Sequence, residues 1–150
     1  VAPRERGEFL ESVVTLSRFL RSLAAQSYAT FEVGSTQAKF LRYIGRNSRI
    51  SQADLARATM TDPALTGRAL ETLIERGWVR RTRSEEDRRQ YVLELTASGG
   101  RARKRVDDAR DRIAQRIATV LDEKDVEDFE RIAKKIVAAF DGWVEPGTKP

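Results

Sequence analysis

The 150-residue sequence has no cysteine and no histidine, a single methionine and only four prolines. Without Cys or His there is no thiol chemistry, no Cys/His zinc site and none of the common nucleophile–base pairs. No metal, no cofactor and no enzymatic activity are therefore expected. No apolar run approaches the roughly 18 residues that span a bilayer, and no signal peptide precedes the first helical stretch. A cytoplasmic protein with no membrane partner is the expectation. Low-complexity linkers and internal repeats are also missing.

What is present is charge and helical periodicity. Charged residues make up 34% of the chain and hydrophobic residues 40%, with a net charge of +5. Charge this dense accompanies regularly spaced apolar residues, so it signals exposed helix faces and not disorder. The basic excess, carried mostly by arginine, favours a polyanionic partner.

Residues 61–100 are the most informative stretch. Asp62 before Pro63 is a helix start, since Asp accepts free backbone N–H groups and Pro suits the first helical position. Leu70, Leu73 and Ile74 supply the buried stripe, and Gly77 the stop. Trp78–Thr82 and Gln90–Leu95 read as two strands around the charged turn Ser84–Arg89. Upstream, Ser51 caps a short helix to about Thr59, with Asp54 at the third position. A tight turn through Met60 and Thr61 joins it to the next, giving a helix-turn-helix.

Long helices flank this unit. Val1–Gly7 reads as loose and Glu8–Thr30 as a helix with a wide apolar band. A break at Phe31–Gly34 leads to a helix over Gln37–Gly45, capped by Ser35 or Thr36. Arg46–Ile50 is a connector. Thr96 caps a helix reaching about Leu121, and Asp122, with Asp125, caps the last, which ends before Pro146-Gly147. The expected fold is mainly α with a small β-hairpin wing: one domain over 1–150, a winged helix-turn-helix DNA-binding lobe at 36–96, and dimerisation helices at 8–30 and 97–144. Leu10, Val13, Val14, Ile117, Leu121, Phe129, Ile136 and Phe140 are the candidate homodimer interface.

Several runs carry a family resemblance: Ile50-Ser51-Gln52-Ala53-Asp54-Leu55-Ala56 with Asp62-Pro63; Arg68–Leu73; Glu75-Arg76-Gly77-Trp78-Val79-Arg80-Arg81; Asp87-Arg88-Arg89; and Leu95-Thr96-Ala97-Ser98-Gly99. In order and spacing, nearly the whole chain resembles the MarR family of multiple-antibiotic-resistance regulators. The resemblance implies a homodimeric transcriptional regulator, most often a repressor, on a pseudo-palindromic operator in double-stranded DNA. It also implies release by a small aromatic or phenolic ligand. Gly67 departs from the family's usual Ser or Thr, and the cysteine of peroxide-sensing members is absent.

The candidate DNA-binding residues follow from position. Pro63, Ala64, Leu65, Thr66, Arg68 and Thr72 lie on the outward face or first turns of the recognition helix, where base contacts concentrate. Arg68 is the leading base or phosphate contact, and Ala64, Leu65 and Thr66 suit thymine methyls, with a core contact an equal reading for Leu65. Glu71 either reads cytosine or pairs with a nearby Arg. Arg89, with Arg88 as alternate, is the minor-groove reader that the family match assigns to the wing. Ser51, Gln52, Arg80, Arg81 and Arg83 are phosphate candidates. An effector pocket is expected between the first two helices, the fifth helix and the DNA-binding lobe, lined by Arg18, Phe19, Arg21, Tyr28, Phe31, Phe40 and Tyr43. A DNA-binding protein without an effector and a winged protein-interaction module are the alternatives.

Overall fold

The computed structural model describes residues 1–144, 146 and 147. The remainder of the expected 1–150 domain lies outside the described residues. Two compact units divide within one helix, between Ile113 and Ala114. The first contains α1 (Pro3–Ala29), α2 (Ser35–Arg46), β1 (Ile50–Ser51), α3 (Gln52–Ala58), α4 (Pro63–Glu75), β2 (Val79–Arg83), β3 (Tyr91–Leu95) and most of α5 (Ala97–Ala118). The second contains the end of α5 and α6 (Glu123–Ala138). Among the described residues no helix is long and apolar enough to cross a membrane.

The caps are local chemistry. Ser51 Oγ accepts from the Asp54 amide at 3.0 Å, and Asp62 Oδ1 accepts from the Ala64 and Leu65 amides at 2.9 and 3.0 Å. Each satisfies backbone donors that a helix start leaves free. Gly77 ends α4 at φ +72°, a conformation that suits glycine.

Several boundaries differ from the sequence reading: α6, expected to run to 144, ends at Ala138, and β2 is shifted by one residue to Val79–Arg83. α1 starts at Pro3, because Pro3 suits the first turn, Glu5 accepts from the Ala2 amide at 3.1 Å, and Arg4 pairs with Glu8. The first seven residues are thus mostly helical. α2 starts at Ser35, so neither Ser35 nor Thr36 is its cap. Gly34 holds that position, and its amide donates to Gln37 Oε1 at 3.2 Å. The supposed connector ends in β1, which pairs antiparallel with β3 through Ile50–Leu93 and Ser51–Val92. Its two residues are too few to show alternation in sequence. α5 stops at Ala118, and its final turn tightens through Val120 N–H to the Ile117 carbonyl at 3.0 Å.

The sheet order is β1-β3-β2, with β3 central and antiparallel to both neighbours. The core of the first unit joins Phe40, Leu41 and Ile44 of α2, Leu55 of α3, Leu70 and Leu73 of α4, Leu93 of β3 and Val106 of α5. Each was apolar at helical or strand spacing, and burying each such side chain contributes about 1.5–3 kcal/mol. α1 buries only Tyr28. In the second unit, α6 buries none of its residues.

One motif is explained by backbone contact. Thr96 Oγ1 donates to the Gly77 carbonyl at 2.6 Å and accepts from the Gly99 amide at 3.0 Å. A Cβ on Gly99 would stand 1.9 Å from the Trp78 carbonyl oxygen. The Leu-Thr-x-x-Gly run therefore joins the start of α5 to the point where α4 turns into β2.

Candidate nucleic-acid interface

α3 and α4 meet through a turn with unusual geometry. Met60, 93% exposed, sits at φ +49°, rare for a side-chain-bearing residue. Buried Thr59 and Thr61 flank it, their hydroxyls 2.9 Å apart. Lys39 Nζ donates to the Thr59 carbonyl at 3.3 Å and the Thr61 hydroxyl at 3.1 Å. This clamp fixes α4 against α3. Lys39 was missed in sequence, because its link crosses twenty residues and has no local pattern.

The outer face of α4 presents Pro63, Ala64, Leu65 and Arg68 to solvent. Leu65 is 41% exposed, so it belongs to the surface and not the core. Arg68 is exposed, and its guanidinium has no hydrogen-bond or ion-pair partner among the described residues. Half-buried Thr72 donates back to the Arg68 carbonyl at 3.3 Å.

Two expected contact residues are corrected. Thr66 is fully buried and its hydroxyl donates to the Asp62 carbonyl at 2.9 Å, so it cannot meet a base. Its position in the first turn faces inward, one residue behind Leu65. Ser51 is also buried, with its hydroxyl engaged as the α3 cap. That leaves it structural, not a side-chain contact to phosphate.

The wing is built from β2, β3 and a turn closed by its own side chains. Asp87 Oδ1 accepts from the Arg89 amide at 3.0 Å, and the Gln90 amide donates to the Asp87 carbonyl at 2.9 Å. Asp87 thus closes the turn. Arg83 donates to the Arg88 carbonyl at 2.7 Å and lies over the Tyr91 ring at 4.4 Å. These contacts leave the Arg88 and Arg89 side chains exposed and without acceptors among the described residues.

Arg81 links wing and recognition helix. It donates to Glu71 at 2.7 Å and Gln52 at 3.3 Å, and lies 5.0 Å over Tyr91. Of the two readings of Glu71, pairing with an arginine is the one observed. Arg80 and Arg49 share Glu94, at 2.9 and 3.5 Å. The Arg80 hydrogen bond, with the nearby positive charges, holds the Glu94 carboxyl below the ordinary glutamate range. At Gly67 an added Cβ would meet only Gln52 Nε2, at 3.9 Å, so close helix packing does not require glycine there.

The seven expected effector residues are not gathered around one cavity. Tyr28 and Phe40 are 4% and 0% exposed and pack in the core, with Phe31 and Tyr43 against them. Arg18, Phe19 and Arg21 are exposed on α1. Aromatic residues at helical spacing fill the core here, and no arginine joins them.

A helix-turn-helix followed by a hairpin whose tip carries free arginines defines a winged helix-turn-helix protein. Residues 31–90 match the model of the MarR family. Over 60 residues the chain is 38% identical to the HTH-type transcriptional regulator BilQ of Clostridium symbiosum, a match spanning 40% of this chain and 42% of that protein's length. Among solved structures, the S. aureus MepR–DNA complex aligns with a TM-score of 0.78 and 20% identity, covering 87% of this chain and 97% of that one. A mutant E. coli MarR complexed with operator DNA aligns with a TM-score of 0.76 and 20% identity, over 91% and 99% of the two chains. Residues 31–90 are thus similar to the MarR family, and the fold is shared with these structures.

Proposed function

We propose that this protein is a sequence-specific transcriptional regulator that binds double-stranded DNA as a homodimer. The observation that carries the reading is the set of arginines without partners among the described residues: Arg68 on the exposed face of α4, and Arg88 and Arg89 at the wing tip. A rigid frame holds the two elements together through Arg81, Glu71 and Gln52. Arginine on a recognition helix suits guanine, and arginine on a wing suits a narrow minor groove. Likeness to MepR and MarR, each solved in complex with DNA, supports the same partner.

Dimerisation is supported by exposed apolar side chains on two helices. On α1 these are Leu10, Val13 and Val14; on α6 and just beyond it they are Phe129, Ile136 and Phe140. Leu121, between α5 and α6, is exposed too, and Ile117 is half-buried. Apolar faces of this extent are rare on a monomer. Repression, and its release by a small aromatic ligand, form the finer part of the proposal and rest on the family of residues 31–90.

Selection of bound sequences from random DNA with purified protein tests the reading. Two related half-sites, centred about one helical turn apart, are the expected result. An unenriched pool would overturn it, and a lone half-site would overturn the dimer. Titrating aromatic acids into the protein–operator complex tests the ligand step, which fails if affinity stays constant.

A further inference from the structure

Gly67 stands inside α4, where glycine is destabilising relative to alanine. Two other glycines of the lobe have clear causes. Gly77 holds a φ of +72°, and a Cβ on Gly99 would stand 1.9 Å from the Trp78 carbonyl oxygen. Gly67 has neither cause. Its backbone is helical, and an added Cβ would meet only Gln52 Nε2, at an ordinary contact distance of 3.9 Å. Nothing among the described residues uses the gap that it leaves. The gap lies one turn before Glu71, which pairs with Arg81 of the wing at 2.7 Å, so it is on the edge of α4 that faces the wing.

Gln52 opens α3 and reaches across to this gap. Its Oε1 accepts from Arg81 Nη1 at 3.3 Å. Arginine has donors and no acceptor, so this bond fixes which way the amide faces. The Nε2 group is left on the Gly67 side, with no acceptor among the described residues. Beside it a cleft of about 500 Å³ opens between α3, the start of α4 and the wing, with Gln52, Pro63 and Tyr91 in its walls. Arg57 and Arg81 line it as partners of Asp54 and Glu71, and Arg89 lines it without a partner among the described residues.

A helix in the major groove and a wing in the adjacent minor groove lie on either side of one sugar-phosphate strand. The gap at Gly67 and the cleft beside it lie between those two elements, so they face that strand. We propose, resting on the reading of this protein as a DNA-binding regulator, that a phosphate of the strand seats in the notch at Gly67 and accepts a hydrogen bond from the Gln52 amide. Gly67 permits the close approach, Gln52 is the donor, and Arg81 is the positioning residue that turns the donor outward. Such a contact sets the depth and register of α4 in the groove without reading a base.

Fluorescence anisotropy of the intact chain tests the proposal, on its selected operator and on operator duplexes that each carry one uncharged methylphosphonate. Gln52→Ala should weaken operator binding by about tenfold. The base preferences of the site should stay the same, as should the salt dependence, because a neutral amide releases no counterion. Gln52→Glu keeps a link to Arg81 but loses the donor, and should weaken binding more than Gln52→Ala. Gly67→Ala, which fills the notch, should lower affinity while raising the melting temperature, a combination that a purely structural role would not produce. One methylphosphonate position should weaken the wild type and leave Gln52→Ala unaffected. Thermal melts of each variant separate lost contact from lost folding. Wild-type affinity in folded Gln52→Ala or in Gly67→Ala would overturn the proposal, as would identical methylphosphonate profiles for Gln52→Ala and the wild type. A changed base preference in Gln52→Ala would overturn it too, by making Gln52 a base reader. A wild-type chain that enriches no sequence removes the DNA-binding reading and this inference together, whereas an enriched operator with unaffected variants removes this inference alone.

Discussion

α4 and α6 look alike in sequence and differ in fate. Both open on an aspartate cap, Asp62 and Asp122, and both carry an apolar stripe at helical spacing. In α4 the stripe is covered, with Leu70 and Leu73 at 0% exposure. In α6 it is bare, with Phe129 61% exposed. An amphipathic pattern thus says that a face seeks apolar cover. It does not say whether the cover comes from the same chain or a second copy.

The largest expected effect tests this contrast. Leu70→Ala should destabilise the protein by about 2–5 kcal/mol in denaturant unfolding, because it opens a cavity in the core. Phe129→Ala should act differently: it should weaken self-association in sedimentation and reduce the concentration dependence of unfolding. A Phe129 variant as dimeric as the wild type would remove that helix from the proposed interface.

Next in size is the exposed face of α4 together with the wing. Arg68→Ala and Arg89→Ala should each weaken operator binding by about 1–3 kcal/mol in fluorescence anisotropy, with thermal stability nearly unchanged. Arg81→Ala should lower thermal stability as well as affinity, since it breaks the links to Glu71 and Gln52. Equal thermal losses in all three variants would erase this distinction.

A smaller effect concerns Gly67. With room for a Cβ and a helical position, Gly67→Ala should raise stability by roughly 1 kcal/mol in thermal unfolding. Lost operator affinity in that same variant would show that the space is needed by DNA.

The smallest effect is electrostatic. Glu94 and Asp128 both have carboxyls held below their ordinary ranges. Glu94 owes this first to Arg80, while Asp128 owes it first to Arg131 and then to Lys124. A depressed carboxylate contributes stability that is present above its unfolded value, about 4, and is lost as pH falls through the folded one. Both groups are well solvated, so the contributions are small. Glu94→Gln and Asp128→Asn should each reduce the acid-side slope of melting temperature against pH. The Glu94 change should be the larger, because its partners lie far along the chain and hold tertiary structure together. Equal slopes would remove that difference between the regions.

Much of the lobe was legible because its signals are short-range. Ser51, Asp62, Thr96 and Asp122 each bond a backbone amide two or three residues on, and Gly77 answers to its own φ. Arg68, Arg88 and Arg89 were readable as exposed for a related reason: each sits on an outward face or at a turn tip. Long-range features were hidden. β1 has meaning only beside β3, forty residues on. Thr66 looked available until α4 took its rotation about the core. Of the aromatic residues that suggested a ligand wall, Tyr28, Phe31, Phe40 and Tyr43 proved to be packing, while Phe19 is exposed.

The sequence by itself determined that the helices form, where α3, α4 and α6 begin, which faces are apolar, and that cysteine and histidine chemistry is absent. These depend on neighbours within a turn or two, or on composition. Only the tertiary structure decided that Thr66 and Ser51 are structural, that Arg81 braces the wing, and that Gly99 makes room for a carbonyl. Those outcomes depend on side chains meeting across distant segments, where a separation of a few ångströms decides between a bond, a collision and an unfilled site.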